Sequence, residues 1–238
     1  MNFFAQDKKK ALTFSFDDGV VQDIRMIELM NKYGLKGTFN LNSMYLSNKG
    51  IMHTHGVRLC HYKVGKEDVK DVYAGHEVAV HTLTHPNLTE CDEAEIIRQV
   101  EQDRLNLSAL VGYEVVGMAY PCGGENNDDR TAAIIREHTG VRYARALKSH
   151  KTFSIYPDLY RFQATVHHHG GWDDMWALAD RFLTEESDEP MLFYIWGHAY
   201  EFDIYPERWE QFEEFCRKIS GKEDVFYGTN RQVLLGDD

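Results

Sequence analysis

The chain has 238 residues, enough for one large domain or at most two, and long enough to bury about 70% of its unfolded surface. With 43% apolar and 27% charged residues, and 18 Gly and 5 Pro that follow no repeating period, it falls outside the disordered, collagen-like and solenoid classes. A formal charge of −12 repels polyphosphate and anionic lipid, so nucleic acid is not an expected partner; no apolar run approaches the roughly 18 residues of a spanning helix, so a soluble protein is expected.

The opening residues, Met1-Asn2-Phe3-Phe4-Ala5-Gln6-Asp7-Lys8, carry no basic region followed by an apolar segment, which makes a cytoplasmic location the expectation. Cys60, Cys91, Cys122 and Cys216 show no CxxC spacing and read as reduced thiols.

Short apolar or β-branched runs alternate with stretches of helical period, the pattern of an α/β protein with a mainly parallel sheet. Ala11-Leu12-Thr13-Phe14-Ser15-Phe16 reads as a strand, followed by a helix with Ile24, Ile27, Met30 and Tyr33 on one face and Gly34 as its stop. A strand over 37–41 leads into a loop region rich in His and Gly, a short helix over 67–73 and a strand over 77–80. The spacing of Ile97, Val100, Leu107 and Val111 predicts a longer helix over 92–111, stopped by Gly112 and followed by a strand over 115–120. Then come a helix over 131–138, a strand over 141–144, a helix over 172–183 and a strand over 191–196. A last helix starts near Pro206 and turns Trp209, Phe212, Cys216 and Ile219 inward before Gly221. No linker interrupts the series, so residues 1–238 are placed in a single domain, and the repeated strand–helix units predict a (β/α) barrel with its chemistry at the carboxyl ends of the strands.

Polar residues of catalytic type do follow the apolar runs: Asp17-Asp18-Gly19, His81-Thr82-Leu83-Thr84-His85-Pro86, Pro121-Cys122-Gly123-Gly124 and Gly197-His198. Asp17-Asp18-Gly19 reads either as a turn or helix N-cap, or as two carboxylates serving one site as metal ligand and base. His81 and His85 are four apart, so one helical turn brings both imidazoles to one side; with a carboxylate they make a facial set for a divalent ion, and otherwise they are exposed or capping histidines.

Phe14-Ser15-Phe16-Asp17-Asp18-Gly19 and His81-Thr82-Leu83-Thr84-His85-Pro86-Asn87-Leu88 together resemble the polysaccharide deacetylase family, also called the NodB homology domain or carbohydrate esterase family 4. The resemblance runs over 13–198 and implies an irregular, seven-stranded, NodB-like (β/α) barrel. It implies that Asp17 is the general base, that Asp18, His81 and His85 hold a divalent metal (zinc first, with cobalt, nickel or manganese as alternatives), and that His198 is the general acid. It further implies that Thr82 steadies the metal-binding loop; Pro121 and Cys122 are candidate oxyanion or substrate residues, the Cys122 backbone N–H being placed to share the oxyanion with the metal, and Trp196 walls the acetyl methyl group or else is a strand aromatic packed on the core.

The sequence departs from the family pattern in two places. Ala119 stands where many members carry an arginine that orients the catalytic Asp; Arg145, at another strand end, is expected to supply that charge, the alternative being a surface arginine. Cys122 replaces an aromatic on which a sugar ring would stack; it reads as a small rim residue, a nucleophile being the alternative. Two further histidine groups, His53, His55 and His61, and His167-His168-His169, are candidate groove residues or else solvated or packed histidines, and none is assigned as a ligand.

The activity implied is removal of acetyl from an N- or O-acetylated carbohydrate. The alternatives are a related amidase acting on a small amide, imide or ureide, and a carbohydrate-binding protein that has lost catalysis.

Overall fold

The computed structural model describes residues 8–236. β1 (Lys10–Asp17) is buried along its whole length, as a strand covered on both faces must be. It is followed by α1 (Gln22–Lys32) and by β2 (Gly37–Leu41), also buried throughout. β3 (Lys49–Thr54) and β4 (Val57–Tyr62) pair as an antiparallel hairpin outside the main sheet. The chain then re-enters the repeating pattern with α2 (Val69–Val72), β5 (Glu77–Val80), α3 (Glu93–Val111), β6 (Gly117–Ala119), α4 (Asp129–His138) and β7 (Tyr143–Ser149). β8 (Phe162–Ala164), β9 (Val166–His167), α5 (Trp172–Thr184), β10 (Met191–Gly197), α6 (Arg208–Ile219), β11 (Val225–Tyr227) and α7 (Asn230–Leu235) complete it.

The main sheet runs β8-β7-β6-β5-β2-β1-β10-β9, with β11 beside β1, and every pair in it is parallel. Its two ends, β8 and β9, are consecutive pieces of one segment broken only at Thr165, whose N–H donates to Tyr194 O at 2.9 Å. The sheet therefore curls into an irregular (β/α) barrel, with seven staves when residues 162–167 count as one. Parallel staves put all their carboxyl ends on one rim, which is where loops carrying chemistry collect.

The inner face of the sheet packs Tyr143, Phe162, Tyr194 and Trp196, and the opposite face is covered by helices over a largely aromatic layer. Phe14, Phe16 and Phe39 stack in sequence, and Phe212 of α6 meets Phe14 edge-on at 5.9 Å. Three helix starts are fixed by side chains accepting backbone N–H groups: Asp92 for α3, Asp128 for α4 and Thr229 for α7.

Several local expectations change. Ile24 is exposed, whereas Ile27 and Met30 are buried as expected and Tyr33 packs against the core; Met26, Asp23 and Gln22 complete the inward face. α3 buries Ile96 rather than Ile97, together with the polar Gln99 and Asp103, which serve the rim. The His-rich stretch after β2 is a hairpin rather than a loop, with Lys49, Ile51 and His53 on its exposed face. The helix near Pro206 is not the last element, since β11 and α7 follow and pack against β1. No helix among the described residues is long and apolar enough to cross a membrane.

Phe39 has no exposed surface and touches both Phe16 and Tyr73. Phe39→Ala is expected to lower stability by about 3–5 kcal/mol, measured by urea denaturation, since its cavity is walled by strands that cannot collapse.

Candidate active site

The sheet register lines up the residues that sequence spacing leaves far apart. Asp17 pairs with Asn40, Leu41 with Val80, Val80 with Met118, and Ala119 with Arg145. On the other side of β1, Phe16 pairs with Gly197 and Trp196 with His167. Asp17, Asp18, His81, His85, Cys122, His167, Trp196 and His198 thus open into one cavity of about 900 Å³.

Asp17 is 1% exposed, and one of its carboxylate oxygens accepts from Asn40 Nδ2 at 2.8 Å while the other is paired with the Arg145 guanidinium. Burial works to raise its pKa, but Arg145, with His81 and His198 beyond it, holds the carboxyl below its usual value. Arg145 is fully buried, lies one strand over from Ala119 at the same level, and rests on the Trp196 ring at 4.1 Å.

Asp18, His81 and His85 present ligand atoms that all lie within 4.8 Å of one another. They come together through a kinked loop, not the helical turn expected from the four-residue spacing: Thr82 and His85 both have positive φ, and no helix forms over 81–85. Thr82 Oγ1 accepts the His85 N–H at 3.1 Å, and Asn42 Nδ2 donates to the carbonyls of His81 and Thr82. Behind the loop, Asp103 of α3 accepts from the N–H groups of Ser43 and His81, and its burial pushes its pKa up to about 7.

The donor set fits a divalent ion. His81 Nδ1 donates to Ala119 O at 2.9 Å, which leaves its Nε2 lone pair for a metal. Burial lowers the pKa of His81 to about 4 and lowers that of His85, so both are neutral, the form that coordinates. One feature opposes a cation: Lys63 Nζ lies 3.2 Å from Asp18 Oδ1 and donates to the Asp18 carbonyl at 2.7 Å. His61 Nε2 is 3.3 Å from the other Asp18 oxygen; burial opposes the Asp18 charge, yet these two neighbours hold its carboxyl well below the usual range.

His198 faces Asp17 and Asp18 from β10. Its burial disfavours a charge, but Glu201 outweighs that and raises the imidazole to about 9; Glu201 in turn stays well below the usual carboxylate range. His167 and His168 also turn toward Glu201, whereas His169 points away, accepting from Arg208 and lying over Tyr205.

At the rim, Cys122 has φ +68 and its N–H meets no acceptor among the described residues. Burial raises the pKa of its thiol, which opposes a nucleophilic role. Pro121 does not line the cavity: it is buried, and its carbonyl accepts from Asn126 Nδ2 at 2.8 Å, because the turn at Cys122 tucks it underneath. Trp196 does line the cavity, its Nε1 donating to Ser149 Oγ at 3.2 Å. Of the hairpin histidines only His61 reaches the cavity; His53 and His55 do not line it.

Sequence reasoning missed Asn40, Lys63 and Glu201. Asn40 and Lys63 carry no motif of their own, and only strand pairing and the hairpin bring them in. Glu201 had a weak signal, lying three residues after His198 where the chain turns.

A family model described as polysaccharide deacetylase matches residues 5–144. Among solved structures, the chain is similar to the peptidoglycan deacetylase PdaC from Bacillus subtilis, at 18% identity and a TM-score of 0.54, over 94% of this chain and 90% of that one. It is similar to a family 4 carbohydrate esterase from Streptomyces lividans in complex with acetate, at 12% identity and TM-score 0.55, over 93% and 92%. It is also similar to a carbohydrate esterase family 4 pseudoenzyme from Bacillus anthracis, at 17% identity and TM-score 0.55, over 95% and 66%. No curated protein sequence matches the chain.

Removing one partner of a buried ion pair strands the other charge. Arg145→Leu is therefore expected to lower stability by about 3–5 kcal/mol in a denaturation series at neutral pH. Part of that loss should disappear as acid protonates Asp17, because a carboxyl with a depressed folded pKa contributes stability only above that pKa.

Proposed function

The chain belongs to the polysaccharide deacetylase family, and from that footing we propose that it is a metal-dependent hydrolase releasing acetate from an acetylated carbohydrate. The observation that carries the reading is the convergence of Asp18, His81 and His85, with Asp17 and His198 opening into the same cavity.

Asp18, His81 Nε2 and His85 Nε2 would hold the ion. A divalent metal there supplies Lewis acidity for the amide or ester carbonyl and lowers the pKa of a water toward about 7. Asp17, kept ionised by Arg145, takes the proton from the attacking water. The Cys122 N–H donates to the carbonyl oxygen as negative charge develops on it. His198, protonated at neutral pH through Glu201, delivers its proton to the leaving nitrogen or oxygen. Trp196 shields the acetyl methyl side from water.

A second reading, an amidase acting on a small amide, imide or ureide, is favoured by one feature. The β3–β4 hairpin walls the cavity with Lys49, Met52 and His61, where a through-going polymer would need an open groove. Acetate release from N-acetylated chitooligosaccharides and acetylated xylan, set against C–N cleavage of small imides and ureides, separates the two; no acetate from either carbohydrate at any zinc loading from one equivalent upward would refute the deacetylase reading.

Asp18→Ala, His81→Ala and His85→Ala should each lose the metal by elemental analysis. Asp17→Asn should keep it and lose about 10²–10⁴-fold in kcat. The acid form of His198 is lost as pH rises through its pKa of about 9, so kcat should fall on the alkaline side near that pH. Glu201→Gln removes the charge that raises it, and the falling limb should move to lower pH.

A further inference from the structure

A second set of ligand atoms converges on the acid side of the cavity. β9 ends at His167, β10 delivers His198 just past Gly197, and the 3-10 turn Ala199–Asp203 brings Glu201 back beneath them. His167 Nε2, His198 Nδ1 and a Glu201 carboxylate oxygen lie within 4.8 Å of one another. Glu201 Oε2 is 3.3 Å from His167 Nε2 and 3.4 Å from His198 Nδ1. A tetrahedral ion with ligands at about 2.0–2.1 Å has ligand-to-ligand edges of about 3.3–3.4 Å.

The two ring nitrogens are shielded from solvent and face the Glu201 carboxylate at 3.3 and 3.4 Å without well-aligned hydrogen-bond geometry. Buried imidazole nitrogens without a partner are rare, and an ion between them is one arrangement that satisfies both. The carboxylate is anchored independently: Oε2 accepts the His198 backbone N–H at 2.9 Å and lies 3.1 Å from His168 Nε2, which is also 3.2 Å from His198 O. Gly197 permits this packing, since a Cβ there would sit 2.1 Å from the His168 ring and 3.0 Å from Glu201 Oε2. His167 and His198 both line the cavity, so an ion has a route in.

We infer that His167, His198 and Glu201 form a second divalent-cation site, separate from the Asp18 set and suited to zinc or a similar borderline ion. Two imidazoles and one carboxylate are the donor types such ions select. An ion on Nδ1 leaves His198 with a neutral Nε2–H and without the extra proton that a general acid delivers. Zinc at this site therefore inhibits the reaction. The inhibition rests on the acid role proposed above for His198; the site itself does not.

Zinc titration of metal-stripped protein by calorimetry, with zinc content measured after gel filtration, should read two equivalents in the wild type. It should read one in Glu201→Gln, one in His167→Asn and one in Asp18→Asn, with thermal melting of each metal-free variant reporting its fold. His167→Asn removes the more exposed ligand and keeps the test decisive if Glu201→Gln does not fold. A wild type that binds a single equivalent, or a folded His167→Asn that still binds two, overturns the site. With N-acetylated chitooligosaccharide, turnover should fall by about a hundredfold between the first and second equivalent, the scale of a lost general acid. Two equivalents with undiminished turnover overturn the inhibition. Two equivalents with no turnover of chitooligosaccharide or acetylated xylan at any zinc level leave the site standing and refute the deacetylase reading instead.

Discussion

The Arg145–Asp17 ion pair sets the terms for the rest of the barrel mouth. Both side chains are withdrawn from water, Arg145 completely and Asp17 almost so. Each charge alone would cost several kcal/mol to bury; the pairing offsets that cost, and Arg145 Nη1 donates to Ala146 O while Nε has no hydrogen-bond partner among the described residues. Asn40 takes the second Asp17 oxygen, and the Trp196 ring lies under the guanidinium. Those partners come from β2 and β10, so a one-residue slip of either strand would turn Asn40 or Trp196 to the opposite face and leave a buried charge exposed to repulsion or unpaired. The pair thereby ties catalytic geometry to strand register.

The same logic explains why a chain of net charge −12 has a mouth rich in cations. Two adjacent carboxylates at the end of β1 would repel each other, and the protein surrounds them with the cations Arg145, Lys63 and His198, and with His61 in contact with Asp18. Arg145 arrives on β7, Lys63 just after the β3–β4 hairpin and His198 just after β10, so three separate segments contribute to neutralising Asp17 and Asp18. The neutral histidines, His81 and His85, are those kept so by burial, and His198 is the one held charged by a carboxylate of its own. Neutral imidazoles on one side and a protonated imidazole on the other are the arrangement that the proposed hydrolysis would use.

Much of the architecture was legible because strand and helix periods are local properties. β1, β10 and α6 lie within a residue or two of where the apolar runs place them, since continuous burial and a helical stripe are written directly in composition. The His-rich hairpin, β11 and α7 were not legible: a half-exposed hairpin has little apolar alternation, and a three-residue strand is too short to show a period. On α1, Ile27 and Met30 face inward as the period predicts, and only Ile24 gives way to Met26, because the barrel decides the edge of the packed face.

At the site, the sequence by itself determined the chemical inventory: adjacent carboxylates after β1, paired histidines after β5 and a late histidine after β10, each placed at a strand end by the parallel pattern. Only the tertiary structure decided how those groups are tuned. It brought Arg145 to Asp17 across 128 positions of chain, set Lys63 and His61 against Asp18, and folded Glu201 under His167 and His198. The physical reason is that a residue type is a local fact, whereas a pKa and a coordination geometry are sums over neighbours that strand order and loop closure alone bring into contact.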